Sequence, residues 1–246
     1  MATVISITSG KGGAGKSSVS VGLAVAFAKL GRKAIILELD IGLRCVDIML
    51  GAENRVVYDL GDVVSEHCTL TDAILSVEGF DCLDYIAAPA NISSDFQFDR
   101  VLDCIRSLKR SYDYVIVDTP AGLGISILSV KNLSDLALIV TTPDPVCIRD
   151  GAKVATLIEQ ADFHNYRLII NRVSKAAMRK SAVHDLDDVI DGVGAQLLGV
   201  VPEDAEYQYC LTQGQQPDEK NVTSRVFRAI AARVEGTYIP LVVEKL

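Results

Sequence analysis

The residues best suited to chemistry stand close together near the start of the chain, in Thr8 to Ser18 (TSGKGGAGKSS). Gly10, Lys11, Gly12, Gly13, Ala14, Gly15, Lys16 and Ser17 make the pattern G-x-x-x-x-G-K-[ST], and Ser18 follows. Glycines let backbone N–H groups surround an oxyanion with no Cβ in the way. Lys16 adds a positive charge, Ser17 a hydroxyl of the kind Mg²⁺ takes, and a following helix its N-terminal dipole. The pattern predicts a binding site for a nucleoside triphosphate. Lys11 is extra, since the general pattern asks for nothing there. It is either a solvated loop charge or a second cation close to the same phosphates.

Three residues further along extend this chemistry. Asp118 closes an apolar run, Tyr112 to Asp118 (YDYVIVD), and an acid at the end of a buried strand beside a phosphate loop holds the water shell of Mg²⁺. Asp40 closes Lys33 to Asp40 (KAIILELD), with Glu38 two residues before it, and both acids belong to the strand end where ligands bind in open α/β sheets. Asn171, followed by Arg172, ends Tyr166 to Asn171 (YRLIIN), and its amide can both donate to and accept from adenine.

These residues need strand ends to hold them, and the hydrophobic pattern supplies some seven. Thr3 to Thr8, Lys33 to Asp40, Leu83 to Ala87, Tyr112 to Asp118, Leu136 to Thr142, Tyr166 to Asn171 and Gln196 to Val201 are apolar runs of strand length, as expected of parallel strands covered on both faces. Between them fall helical periodicities: Val19, Leu23, Phe27 and Leu30 up to Gly31; Leu60 to Ser65; Leu70 to Leu75; Phe98 to Leu108; Gly151 to Gln160; Val183, Leu186 and Ile190; and Ser224 to Gly236. Pro143, Pro145, Arg149 and Asp150 are expected in a loop. No linker interrupts the alternation. The expected fold is α/β, a single doubly wound, mostly parallel sheet with helices on both faces, in one domain over residues 1–246 with 237–246 as a tail.

Composition narrows the function. The 246 residues are 49% hydrophobic and carry a net charge of −8, so the surface as a whole repels nucleic acid and anionic membrane. The six cysteines show neither C-x-x-C pairing nor a metal-ligand rhythm and suit a reducing compartment. With strand one starting at once and no apolar run of bilayer length, a cytoplasmic location is expected, at most peripheral to the inner face of the cell membrane.

Lys11 to Ser17 (KGGAGKS) resembles the deviant Walker A loop of the MinD/ParA family of ATPases, with Lys11 in the place of the signature lysine. Leu39 to Arg44 with Asp47, Arg55 to Asp59, Asp118 to Gly122, Arg149-Asp150 and Val201 to Asp204 resemble segments of its MinD branch in order, up to about Gly236. The resemblance implies the P-loop NTPase fold of that family and an ATP-hydrolysing switch that forms a homodimer with ATP and Mg²⁺ and regulates division-site placement. In such a dimer Lys11 would act on the partner's phosphates, Lys16 on its own, and Asp40 would position the attacking water. Ser17 and Asp118 would hold Mg²⁺, Asn171 with the Pro202–Glu203 backbone would frame adenine beside Arg172, and Asp150 would face the dimer or a partner. A division regulator or ATPase-activating protein is the implied further partner.

The tail, Thr237 to Leu246 (TYIPLVVEKL), departs from the branch. A membrane anchor there would be a basic amphipathic helix, but Pro240 interrupts any helix and one lysine faces one glutamate. Membrane contact is therefore not favoured; the alternatives are an apolar grip by Ile239, Leu241, Val242 and Val243, or a strand packed on the body. Within the family, a flagellar-number regulator and a ParA-type positioner of DNA or cargo remain open, the DNA-bound form disfavoured by the acidic charge. A nitrogenase-iron-protein relative is excluded by the absence of cysteine in Ala121 to Val130. A small-metabolite kinase is left open by the loop alone.

Overall fold

A computed structural model describes residues 2–90, 97–122, 131–175, 178, 183 and 185–241. Its frame is one sheet of eight strands: β1 (Thr3–Thr8), β2 (Ala34–Glu38), β3 (Leu75–Ser76), β4 (Leu83–Ile86), β5 (Tyr114–Asp118), β6 (Leu136–Thr141), β7 (Tyr166–Val173) and β8 (Leu197–Pro202). Their spatial order is β3-β4-β2-β5-β1-β6-β7-β8, and every pair is parallel except β3 with β4. The helices are α1 (Lys16–Lys29), α2 (Val46–Met49), α3 (Leu60–Val64), α4 (Phe98–Leu108), α5 (Pro145–Gln160), α6 (Leu186–Val193), α7 (Ala205–Thr212) and α8 (Val222–Val234).

Strand residues alternate between the faces with a period of two, and this decides which helices they meet. Ile5, Ile7, Ile36, Ile116, Leu138 and Ile169 pack with α1 and α8. Val4, Ile35, Leu37, Val115 and Val117 share a cluster with Val101 and Ile105 of α4, and Ala137, Ile139, Leu168 and Ile170 one with Val154 and Ile158 of α5. Helix α1 is buried on most of its surface, as its apolar composition predicts, with Phe27 stacked on Tyr114 at 3.7 Å.

The expected strands are all present, with ends shifted by a residue or two, and the doubly wound parallel sheet is confirmed. Two expected elements change type, α6 starts at Leu186 and leaves out the expected Val183, and one helix is new. Leu70 to Leu75 is not a helix: it turns and enters the short antiparallel edge strand β3. The segment from Pro145 to Asp150 is helix rather than loop, because Asp144 caps it, accepting from the N–H groups of Val146 and Cys147, and proline suits the first helical position. Helix α7 was not expected; its start is set by Asp204, which accepts from the Tyr207 N–H. The tail forms no strand through Leu241, and Arg233 donates to the carbonyls of Ile239 and Pro240 to hold it on the body. Val242 and Val243 of the apolar grip lie outside the described residues. Among the described residues no helix is long and apolar enough to cross a membrane.

Candidate functional site

The site forms where β1, β2, β5 and β7 end. Strand parity explains its composition. Asp118 shares its side of the sheet with Ile116, Glu38 with Ile36, and Asn171 with Ile169, so all three turn toward α1. The glycine loop joins β1 to α1 and therefore passes directly over them.

Asp118 is fully buried at the first turn of α1. It accepts from the Ser17 hydroxyl at 2.6 Å and the Ser20 hydroxyl at 2.8 Å, and Ser20 also donates to the Lys16 carbonyl. Burial pushes its carboxyl up to about 7 despite those two hydrogen bonds; the neighbouring Glu38 adds to the rise and Lys16 opposes it. Ser20 was missed in the sequence, although its position three residues after Ser17 puts both hydroxyls on one helix face. Among the described residues no group of three or more His, Cys, Asp or Glu side chains could hold a metal alone. Ser17 and Asp118 instead offer the hard oxygen donors that suit Mg²⁺, an ion that keeps several waters and shares phosphate oxygens.

Lys16 is the clearest mark of what belongs here. Only 6% of it is exposed, yet among the described residues no carboxylate lies within ion-pair distance of its ammonium. A buried charge that only the longer-range fields of Asp118 and Asp40 offset is costly unless a ligand supplies closer counter-charge. Asp40 is half-buried just past β2, where desolvation raises its carboxyl and the field of Lys16 lowers it. Gly12 and Gly13 are exposed, and a Cβ at Gly13 would meet nothing within 4 Å, so the loop backbone is open for an oxyanion to approach. Ala14 is buried, and the Ser9 hydroxyl donates to the Lys11 carbonyl to shape the turn. The donor set fits a Mg²⁺–nucleotide.

Two glycines serve packing as much as phosphate. A Cβ on Gly10 would lie 2.4 Å from the Asp150 carbonyl oxygen, so the loop presses against the backbone of α5. Gly15 has φ of 90° and faces the Asn171 amide. Lys11 is exposed and joins no ion pair among the described residues. Asp150 lies near Arg149 (3.7 Å) and Lys153 (3.8 Å).

Asn171 donates from Nδ2 to the Ala14 carbonyl at 2.8 Å, tying β7 to the loop. Beside it, Ser18, Asn171, Arg172 and Pro202 line a small cleft floored by Tyr207 and Phe227. Arg172 sits in the left-handed region (φ 55°) at an irregularity between β7 and β8. Glu203 is exposed and outside that lining, its N–H donating to the Val173 carbonyl; Asp204 lines the cleft instead. Burial would raise Asp204, but the Tyr207 N–H, the Thr223 hydroxyl and the Asn221 amide together hold it below the usual carboxylate range.

Residues 5–217 match the family model for the CobQ/CobB/MinD/ParA nucleotide binding domain. The septum site-determining protein MinD of Bacillus subtilis is 36% identical over 98% of this chain and 92% of its own length; that of Synechocystis is 32% identical over the same shares. Among solved structures, the MinC:MinD cell division protein complex of Aquifex aeolicus aligns with a TM-score of 0.89 and 33% identity over 98% of this chain and 99% of the other. MinD of Pyrococcus horikoshii, complexed with Mg-ADP, aligns with a TM-score of 0.84 and 27% identity over 96% of each chain. The loop, the buried lysine and these likenesses agree on a MinD-like ATPase, and the chain belongs to the CobQ/CobB/MinD/ParA nucleotide-binding family.

Proposed function

We propose that this chain is a Mg²⁺- and ATP-dependent dimerising switch that takes part in placing the division site. The observation that carries the reading is Lys16, buried at the head of α1 with, among the described residues, no carboxylate within ion-pair distance. A polyphosphate provides the missing anion. Mg²⁺, when bound, offsets charge on the β- and γ-phosphate oxygens. Ser17 gives it a direct oxygen ligand, and Asp118 holds its water shell. Lys16 bears on the phosphates of its own subunit. Asp40 orients the attacking water and, being partly desolvated, has an electrostatic field less weakened by solvent.

Lys11 supplies the second cation across a homodimer interface, where it offsets charge building on the transferred phosphoryl group. Its exposure beside Gly12 and Gly13 supports that reach, and so does Leu43, 74% exposed on the loop after Asp40. Asn171, Arg172 and Pro202 frame adenine, with the Glu203 backbone at the rim. Asp150 faces the dimer or a partner. The named MinC:MinD complex among the similar structures supports a division regulator as that partner. The same fold carries other family members that position cargo, and the net charge of −8 weighs against a DNA-bound version of that role. Residues 1–246 serve as one unit, with 237–246 as its tail.

The test uses Asp40→Ala, which should trap the ATP-bound state. With ATP and Mg²⁺ the variant should run as a dimer by size exclusion with light scattering, and as a monomer with ADP. A monomer under both conditions would sink the switch. Vesicle flotation with ATP, with and without residues 237–246, measures the membrane question separately; the expected result is no ATP-dependent flotation.

A further inference from the structure

Glu38 is a buried acid that the nucleotide chemistry leaves unused. It is 0% exposed at the last position of β2, in register with Asp118 on β5. A carboxylate in such a place is expensive to bury and persists only where hydrogen bonds satisfy it. Its partners are not at the phosphate loop. One oxygen accepts from the hydroxyl of Tyr85, itself fully buried on β4. The other accepts from the backbone N–H groups of Cys45 and Val46, at 3.0 and 3.2 Å.

The segment between Glu38 and Cys45 is the loop that carries Asp40. Its near end is fixed by the sheet, where the Leu39 N–H donates to the Asp118 carbonyl. Gly42 donates to the Pro89 carbonyl along the way. The far end turns back onto Glu38. Cys45, the residue so tied, is part-buried and stands just before the first residue of α2. A tether at both ends limits how far the Asp40 carboxylate can swing, and Tyr85 limits how far the tether itself can turn.

Resting on the ATPase reading above, we propose that Glu38, locked by Tyr85, is a positioning residue that clamps the Asp40–Arg44 loop over the phosphate site. The residue touches no reacting atom. It acts by closing the loop through the Cys45 and Val46 amides, so its loss should lower turnover while leaving nucleotide affinity nearly intact. A carboxyl suits the task because one oxygen can accept from two amides while the other accepts from a phenol.

Cys45 is the reporter. Labelling of each cysteine in the nucleotide-free full chain, resolved by mass spectrometry with Cys68 as reference, reads loop opening without any turnover. Glu38→Ala should raise Cys45 labelling about 10-fold relative to Cys68, because releasing the loop exposes a thiol that the clamp holds part-buried. It should also lower kcat by about 10-fold with Kd for ATP within about 3-fold, the mark of lost orientation rather than lost binding. Glu38→Gln, whose amide oxygen still accepts from the backbone, should recover most of both. Tyr85→Phe keeps the core filled and should raise labelling about 3-fold, since it removes one hydrogen bond of the lock. Unchanged Cys45 labelling in Tyr85→Phe and Glu38→Ala overturns the clamp; if the alanine variant does not fold, unchanged labelling in Tyr85→Phe does so alone. Because labelling needs no nucleotide, that failure is distinct from failure of the ATPase reading, which would appear as an inactive parent protein with the labelling pattern intact.

Discussion

The two ends of the sheet are built on opposite principles. At the amino ends of β1, β2 and β5 there is a wide cleft of about 1300 Å³ rimmed by Arg32, Lys33, Arg106, Lys109 and Arg110. At the carboxyl ends the cleft beside Asn171 has a volume of only about 30 Å³. Size and positive charge alone would choose the first. Yet its charges are mostly satisfied within the protein: Arg32 reaches Glu235 at 2.6 Å, Lys109 reaches Asp135 at 2.7 Å, Arg106 reaches Asp103 at 2.8 Å, and Lys33 lies over the Tyr112 ring. At the other end Lys16 is buried with, among the described residues, no carboxylate within ion-pair distance, and Asp118 is fully desolvated. Function follows the charge that the protein leaves uncompensated, because such a charge is costly until a ligand arrives.

The largest test of this contrast is to remove a lysine from each end. Lys16→Ala should lower kcat/KM for ATP by at least about 100-fold, the scale of losing a preorganised charge at a reacting phosphoryl group. Lys109→Ala should leave turnover unchanged. An inactive Lys109→Ala protein that still folds would break the contrast outright.

Next in size is Gly10→Ala. Its new methyl would meet the Asp150 backbone, which cannot yield as a flexible side chain would. A loss of about 2 kcal/mol in denaturant unfolding is expected, as for overpacking elsewhere, together with weaker ATP binding. A variant of unchanged stability would show that the loop does not rest on α5.

A smaller effect should appear as pH dependence. Asp118 titrates near 7 in the folded chain but near the ordinary ~3.9 when unfolded. Between these values the folded state holds more protons than the unfolded state, so this group lowers stability as pH rises from about 4 to about 7 and adds nothing further above that. Asp118→Asn should flatten that part of the melting curve against pH in the nucleotide-free protein and abolish Mg²⁺-dependent hydrolysis. A profile unchanged by the substitution would show that Asp118 does not carry the burial cost.

The smallest effect belongs to the other end. Removing the partly exposed Lys109–Asp135 pair through Lys109→Ala should cost at most about 1 kcal/mol, as surface pairs usually do. A larger loss would mean that the amino-end charges hold the fold together more firmly than their exposure suggests.

Much of this was legible in the chain as a string of residues. The phosphate loop needs glycines, a lysine and a hydroxyl at fixed local spacing, and the adjoining strand and helix have their own short periods. Tyr112 to Asp118 announced both a buried strand and the acid that ends it. Local chemistry was less clear where one residue serves two structures. Pro145 looked like a loop residue because proline breaks helices, yet Asp144 before it makes it the first residue of α5. Leu70 to Leu75 had apolar spacing that a short edge strand satisfied instead.

Sequence alone determined the fold class, the nucleotide loop and the identity of Asp40, Asp118 and Asn171 as chemical groups at strand ends, since each follows from neighbours within a few residues. Tertiary structure decided what those groups meet. Register between β2 and β5 set Glu38 beside Asp118, the parity of three separate strands turned Glu38, Asp118 and Asn171 onto the α1 face, and only then did Ser20, Tyr85 and Asp204 acquire their partners. Such pairings join residues far apart in the chain, and no local period records them.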